Sequence, residues 1–226
     1  MKEVLDIEPN WRTPATDYPH KKIGTAEIRH KYYAKGFYRM ENVDGYTYFK
    51  LDERIPVTSL FINNEQWMID DPLHWIGMQK LAQFSSGRVL VGGLGLGLIV
   101  HALLHNSNVT DIVVVDKNPD VIALVKPLIK QVSGCYMTGN KIRYVCDDIC
   151  RFVGRKKEAF DTIILDIWVL SGDESKEGRT HVWAEMMGAF AYMKQHHPKA
   201  NIYIWGSTDT AINPAVKEEV KEEGLK

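Results

Sequence analysis

The chain has 226 residues, a formal net charge of −1, 45% hydrophobic residues and 25% charged residues, an ordinary globular composition. This length suits one sizeable domain with a small additional module. The near-neutral charge gives no support to a nucleic-acid-binding protein, which usually carries a basic excess. No apolar run reaches the ~18 residues that span a bilayer, so no membrane partner is expected.

The N-terminus and the cysteines indicate the cellular compartment. Glu3, Asp6 and Glu8 interrupt any signal-peptide core. The three cysteines form an odd number without a paired framework, so a reducing cytoplasm is the predicted location. Cys146 and Cys150 have neither a second cysteine pair nor a histidine cluster near them. We therefore predict no metal site, and we expect both thiols to pack in the apolar interior.

The first third of the chain differs in pattern from the rest. Residues 1–20 are polar and predict an extended arm, whereas residues 36–69 are rich in Tyr, Phe, Thr, Val and Ile and contain turn sequences. This pattern predicts a small antiparallel sheet of three or four strands. Residues 71–84 predict a helix that Asp71 caps and Pro72 begins. The predicted division is an N-terminal arm and β module at 1–70, followed by a second domain at 71–226.

From residue 87 onwards, apolar strands alternate with helices. The predicted strands are RVLVGG, DIVVVDKN, KIRYVCDD, FDTIILDIW and NIYIWGS, and the predicted helices are LGLIVHALLHN, PDVIALVKPLIKQV and HVWAEMMGAFAYMKQHH. Strands without polar alternation are typical of a parallel sheet covered on both faces. The predicted fold class is α/β, with a Rossmann-like, doubly wound, mostly parallel sheet.

Four glycines follow the first of these strands in the stretch VGGLGLGLIV, residues 91–100. No lysine follows them, which excludes a P-loop, and the third glycine of a G-x-G-x-x-G fingerprint would fall on Leu98. The spacing is instead G-x-G-x-G, formed by Gly93, Gly95 and Gly97. In this motif the chain resembles the class I S-adenosylmethionine (SAM)-dependent methyltransferases, over about residues 87–207.

The residues agree with a site for a nucleoside without phosphates. The backbone of the glycine turn, including Leu94, can approach a ligand closely, and a helix N-terminus favours a carboxylate such as that of methionine. Asp116 ends the second strand, 23 positions after Gly93, where an acidic side chain can accept both ribose hydroxyls. Lys117, next in sequence, is included among the predicted binding residues.

Two further strand ends carry acidic residues. The resemblance implies that Asp148 accepts the adenine amino group and that Ile149 lies near the ring, with Asp147 as the alternative to Asp148. Asp166 ends the fourth strand, at the crevice where open α/β sheets bind ligands. It is predicted to bind the donor and to orient or deprotonate the acceptor. Capping of the following loop, or contact with the donor's amino group alone, is an equally weighted interpretation.

A closer resemblance is to the spermidine synthase (polyamine aminopropyltransferase) family. It rests on INNEQWMIDDPLHWIGMQKLA, VLVGGLGLG, VVVDKNPDVI, DDICRFV and FDTIILD. The resemblance implies an N-terminal β module and an aspartate at Asp166 that helps to activate an acceptor amine. Three features depart from the family pattern. Leu96 replaces the acid that holds the donor's amino group, DIWVLSGDE lacks an Asp-Pro, and His74 and Trp75 stand near the family's tyrosine and polar residue.

These departures favour a SAM-dependent methyltransferase of the spermidine-synthase-like subgroup, acting on a small acceptor of which an amine is one candidate. The first alternative is a polyamine aminopropyltransferase that uses decarboxylated SAM. The second is a non-catalytic nucleoside-binding protein. Specificity in such folds lies in loops and appendages, so the acceptor is not identified by the core.

Several features remain candidates for the acceptor side. Residues 168–182 are rich in glycine and charge and form either a lid, with Gly172 and Gly178 as hinges, or an ordinary surface loop. The aromatic candidates, for which core packing is the favoured interpretation, are Trp67, Trp75 and Trp168. The histidine candidates are His74 and His181. Edge strands in the N-terminal module would allow a homodimer.

Overall fold

The computed structural model describes residues 4–8, 10–42, 45–133, 141–155, 157–168 and 176–206. Its N-terminal strands are β1 (Val4–Ile7), β2 (Lys21–Ile23), β3 (Ala26–Tyr33), β4 (Gly36–Asn42), β5 (Gly45–Leu51), β6 (Ile55–Ile62) and β7 (Glu65–Ile69), with a 3-10 turn at Pro14–Asp17. They form two sheets, β1-β5-β4 and β2-β3-β6-β7. The second is antiparallel throughout, whereas β1 runs parallel to β5. The N-terminal module therefore exceeds the predicted single sheet of three or four strands.

The second part of the chain alternates between helices and strands. Its elements are α1 (Pro72–Gln83), β8 (Gly87–Gly92), α2 (Leu98–Leu104), β9 (Val109–Asp116), α3 (Pro119–Ser133), β10 (Lys141–Cys146), α4 (Ile149–Arg155), β11 (Thr162–Leu165), α5 (Lys176–His196) and β12 (Asn201–Ile204). The five strands form one parallel sheet in the order β10-β9-β8-β11-β12. The predicted α/β fold class is confirmed.

Alternate side chains of these strands enter two apolar layers. Val89 and Val91 of β8 pack with α1, α2 and α3, whereas Leu90 packs with α4 and α5. All three are fully buried, which explains why the strands are apolar at consecutive positions. The helices within the described residues fall short of the length and apolar content needed to cross a bilayer.

Helix α1 begins as its sequence predicts. The carboxylate of Asp71 accepts a hydrogen bond from the backbone N–H of His74 at 3.0 Å, and Pro72 occupies the first turn. Because Asp71 and His74 are both buried, this N-terminal cap also fixes where the helix enters the core.

Three local predictions need correction. The short helix α4 was not predicted, and Cys146, expected in the interior, is exposed. Helix α5 begins at Lys176, so Gly178 lies inside a helix rather than at a loop hinge. Residues 169–175 of the candidate lid, including Gly172, lie outside the described residues.

The N-terminal strands are joined to the parallel sheet by both apolar and polar contacts. Ile28 and Leu60 belong to the same buried cluster as the residues of α1 and α2. In the turn before β3, the Thr25 hydroxyl and backbone N–H donate to Asp120 at the start of α3, at 2.9 and 2.8 Å. The boundary at residue 70 remains a prediction, and continuous packing crosses it.

Candidate functional site

The carboxyl ends of the parallel strands meet one cavity of about 370 Å³. From β8 the chain builds β9 and β10 on one side, then crosses to β11 and β12 on the other. This change of direction opens the crevice in which such sheets bind ligands. The cavity is lined by Leu60, Ile62, Gln66, Trp67, Met68, Ile69, Asp71, His74, Gly93, Gly95, Val115, Asp116, Lys117, Asn118, Val121, Asp148, Ile149, Asp166, Ile167, Trp168, Met186, Trp205 and Gly206.

The glycine turn lies on the cavity floor, between β8 and α2. Gly93 has a φ of +89°, and a Cβ there would lie 2.1 Å from the backbone carbonyl oxygen of Asp166. Gly95 has a φ of +51°, and a Cβ there would lie 2.2 Å from the sulfur of Met68. Both positions need glycine, since a side chain would be strained and would collide with a neighbour. The turn therefore keeps the ends of β8 and β11 close to each other and close to β7.

Asp116 organises this turn. One carboxylate oxygen accepts the backbone N–H of Leu94 and the other accepts that of Asn118, both at 2.8 Å. A carboxylate has about four acceptor sites, so two remain for ligand hydroxyls. Asp116 lines the cavity, and its side chain is oriented before any ligand binds.

The two aspartates that follow β10, Asp147 and Asp148, have different contacts. Asp148 lines the cavity, and one of its oxygens accepts the backbone N–H of Arg151 at 2.9 Å. Asp147 is buried and pairs with the side chains of Arg151 and Arg155 on α4. Although burial disfavours its charge, these arginines hold the pKa of Asp147 below its ordinary value. Asp148, rather than Asp147, is therefore the member of the pair that faces the cavity.

Asp166 lies where β11 ends, next to the glycine turn. Its backbone N–H donates to the carbonyl of Gly92 at 2.9 Å, and its side chain is 17% exposed. Oδ2 of Asp166 lies 3.8 Å from Nε2 of His74, which is contributed by α1. The carboxylate thus lines the cavity beside the imidazole of His74, which lines it as well.

Residues from outside the glycine turn cover the cavity. Met68 of β7 lies over the turn, where its sulfur is 2.9 Å from the backbone nitrogen of Leu96. Trp67 lies 5.9 Å from the Lys117 ammonium, measured to the ring centroid. At the β11 and β12 ends, Trp168 and Trp205 form an aromatic wall.

Seven of the nine predicted site residues line this cavity: Gly93, Gly95, Asp116, Lys117, Asp148, Ile149 and Asp166. The other two, Leu94 and Gly97, support the glycine turn without lining the cavity. Leu94 is buried and donates its N–H to Asp116, and Gly97 caps α2 and packs against α3. Trp67 and Trp168, named from the sequence as acceptor-pocket candidates, line the cavity as well.

Sequence reasoning did not name every residue of the cavity. Met68, Met186 and Trp205 line the cavity but carry no local motif that marks them. Trp75 packs against the buried core, as the favoured interpretation expected, whereas His181, a histidine candidate for the site, is exposed and pairs with Glu185 at 3.3 Å. Among the described residues, no group of three or more His, Cys, Asp or Glu side chains is placed to hold a metal ion.

The family model of the spermine/spermidine synthase domain matches residues 76–189, which is 114 of the 226 residues. The chain therefore belongs to the spermine/spermidine synthase family. Membership of this family agrees with the predicted donor, SAM or its decarboxylated form, and with the predicted class of SAM-dependent transferases. The comparison with curated protein sequences gave no match.

Three solved structures are similar to part of this chain at low sequence identity. Spermidine synthase from Thermotoga maritima is 15% identical with a TM-score of 0.39, and 58% of this chain covers 55% of that one. A spermidine synthase in complex with the transition state analogue AdoDATO is 17% identical with a TM-score of 0.38, and the coverage is 58% and 54%. A SAM-dependent methyltransferase from Agrobacterium tumefaciens is 17% identical with a TM-score of 0.37, and the coverage is 49% and 36%. The chain thus spans about half of the length of the two spermidine synthases, and no conclusion about activity rests on these similarities.

Proposed function

We propose that the protein transfers a carbon group from a SAM-type sulfonium donor to a small acceptor that carries an N–H group. The observation that carries this proposal is the position of Asp116, Asp148 and Asp166. Each follows a different parallel strand, and all three line one cavity. In this assignment Asp116 accepts the ribose hydroxyls, Asp148 accepts the adenine amino group and Asp166 faces the acceptor.

The chemistry requires positioning more than activation. The positive charge on sulfur already makes the thioether part of the donor a good leaving group, so the acceptor nitrogen attacks the adjacent carbon in line with the C–S bond. The N–C bond forms, the C–S bond breaks with its electron pair going to sulfur, and the nitrogen loses a proton. Alignment of the two reactants contributes roughly 7–11 kcal/mol in favourable cases. Asp166 supplies the group that orients the N–H and receives the proton.

Methyl transfer is the first candidate reaction. At the position where the resemblance expects an acid for the donor's amino group, Leu96 is 0% exposed and packs in the core. The site therefore lacks the side chain that the resemblance associates with decarboxylated SAM.

Aminopropyl transfer is the second candidate, and the charge of the cavity favours it. Its charged lining, within the described residues, consists of four aspartates and one lysine: Asp71, Asp116, Asp148, Asp166 and Lys117. An excess of carboxylates favours donors and acceptors of higher positive charge, because buried or half-buried charges need partners. Decarboxylated SAM carries one more net positive charge than SAM.

Calorimetric titration with SAM and with decarboxylated SAM separates these candidates. Tighter binding of SAM supports methyl transfer, and tighter binding of the decarboxylated form supports aminopropyl transfer. Mass spectrometry of reactions with a pool of small amines then identifies the added group. Donor binding without any product would support a non-catalytic nucleoside-binding protein instead. Binding of neither donor by folded protein refutes the assignment of the glycine turn.

The Asp166→Asn variant tests the role of the carboxylate. We expect donor affinity to stay within about twofold, while turnover falls by about 100-fold or more, since general-base catalysis typically contributes that much. Asp111→Asn is the matched control, because Asp111 lies on β9 at the opposite end of the sheet from the cavity. Full turnover by Asp166→Asn, with donor binding retained, would contradict a role for Asp166 as the base.

The homodimer and the cytoplasmic location remain predictions from the sequence. Sedimentation of the purified protein measures the first, and fractionation of the source cells measures the second.

A further inference from the structure

His74 is a buried polar side chain whose ring nitrogen is not satisfied. Its side chain is 10% exposed, and Nε2 finds no hydrogen-bond partner among the described residues. The nearest polar group given by the structure is Oδ2 of Asp166 at 3.8 Å, beyond hydrogen-bond length. Leaving a buried polar atom without a partner is unfavourable, so a native protein retains such an atom where it serves a purpose.

The imidazole is held in place from two sides. Asp71 caps the first turn of α1 through the backbone N–H of His74. Trp205, at the end of β12, stacks on the imidazole with a centroid distance of 4.7 Å and an interplanar angle of 30°. The Trp205 ring also lies on Gly77, where a Cβ would be 2.0 Å from the indole. The cap thus fixes the backbone at His74, and the stacking on Trp205 restrains its ring beside Asp166.

We propose that His74 is a positioning residue for Asp166, an inference that rests on the proposed transfer reaction. A movement of about 1 Å brings Nε2 within hydrogen-bond distance of Oδ2, since such bonds are about 2.8 Å long. Oδ1 of Asp166 then receives the proton from the acceptor nitrogen as the N–C bond forms and the C–S bond breaks. His74 acts through Asp166 because its Nε2 is buried and lies nearest to that carboxylate among the acidic groups paired with it, although the residue also lines the cavity.

The charges around His74 determine its titration. Burial opposes a charge on the imidazole, but Asp166 at the end of β11, together with Asp71 and Asp70 before α1, outweighs burial. The pKa of His74 is consequently raised above its ordinary value of 6.5. A protonated imidazole holds Asp166 strongly but makes it a weaker base. Deprotonation of His74, as the pH rises through this pKa, is therefore expected to increase the turnover number.

The first test uses the free protein and needs no substrate. The titration of His74 is followed by NMR of its ring signals, which are assigned by their loss in His74→Gln. In the Asp166→Asn variant we expect the pKa of His74 to fall, because the carboxylate that most strongly opposes the effect of burial is removed. An unchanged pKa would show that the two side chains do not interact, and it would overturn the inference.

The second test compares two variants in steady-state kinetics. His74→Phe keeps a ring against Trp205 but removes the nitrogen, so kcat should fall about tenfold to 100-fold while the donor dissociation constant is unchanged. His74→Gln restores a polar partner without a titrating group. His74→Gln should recover most of the kcat that His74→Phe loses, and its plot of kcat against pH should lack the inflection above pH 6.5. An inflection that belongs to the acceptor amine should remain in both the wild type and His74→Gln. His20→Gln, on an exposed histidine, is the control.

The outcomes separate this inference from the proposed function. If the wild-type protein binds no donor, the proposed function fails, while the NMR result still decides whether His74 and Asp166 interact. If the wild type turns over and His74→Phe has the same kcat and pH profile, His74 does not position Asp166, and the transfer reaction stands without it.

Discussion

Asp70 is a carboxyl group enclosed by the protein next to the cap of α1. It is 0% exposed, and burial raises its pKa from 3.8 to about 7. One oxygen accepts the Thr58 backbone N–H at 2.5 Å, and the other accepts the Thr13 hydroxyl. Replacement by asparagine keeps the shape and an acceptor for Thr58, and the new amide can donate to Thr13. We expect Asp70→Asn to be more stable than the wild type at alkaline pH.

The sign and size of this effect follow from the pKa. Because the folded protein binds the proton more tightly than the unfolded chain does, the free energy of unfolding falls as the pH rises through the window from 3.8 to about 7. The full difference between the two pKa values corresponds to about 4 kcal/mol in the free energy of unfolding. About 3 kcal/mol of this stabilisation is lost between pH 5 and pH 8. The asparagine variant does not titrate, so its advantage over the wild type should grow by that amount.

Urea unfolding followed by circular dichroism at several values between pH 5 and pH 8 measures this difference. Asp71 also has a raised pKa, caused by burial, and it is present in both proteins. Asp17→Asn is the control, since the side chain of Asp17 is 71% exposed. If the curves of wild type and Asp70→Asn run parallel across this range, burial does not govern the titration of Asp70.

Two glycine substitutions test how the cavity is assembled. Gly95→Ala forces a side chain into the left-handed region and against Met68, so we expect about 1–2 kcal/mol of destabilisation and weaker donor binding, with partial recovery when Met68→Ala is added. Thermal unfolding and calorimetry measure both effects, and unchanged donor binding would disprove the close approach. Gly77→Ala should cost about 1–3 kcal/mol because it displaces the Trp205 ring, whereas Gly188→Ala, which meets nothing within 4 Å, should stabilise α5 by up to about 1 kcal/mol. Equal unfolding temperatures for these two variants would contradict the packing of Trp205 on α1.

The parallel sheet could be predicted because its signals are local. Five apolar runs, each followed by a turn, mark β8 to β12, and the buried strands have no polar face to obscure the pattern. The cap at Asp71 and the turn at Gly93 were likewise visible as short motifs. Placement of the acidic residues at strand ends followed, since parallel strands bring their carboxyl ends to one edge.

The rest depends on contacts between distant segments. The parallel pairing of β1 with β5 joins residues more than 40 positions apart, and no local periodicity specifies it. Helix α4 has seven residues, too few for a clear helical pattern. Met68 and Trp205 reach the cavity only because β7 and the end of β12 lie beside the glycine turn and α1, so their part in the site required the tertiary structure, whereas His74 was already a candidate from the sequence.

The position of β7 over the glycine turn has a thermodynamic consequence. One wall of the cavity comes from the N-terminal strands and the floor comes from the parallel sheet. A donor bound in this cavity would therefore contact both parts of the chain, and its binding energy would be lost when either part opens. Saturating donor should thus couple the two parts during denaturation, so that they unfold together in a single cooperative transition.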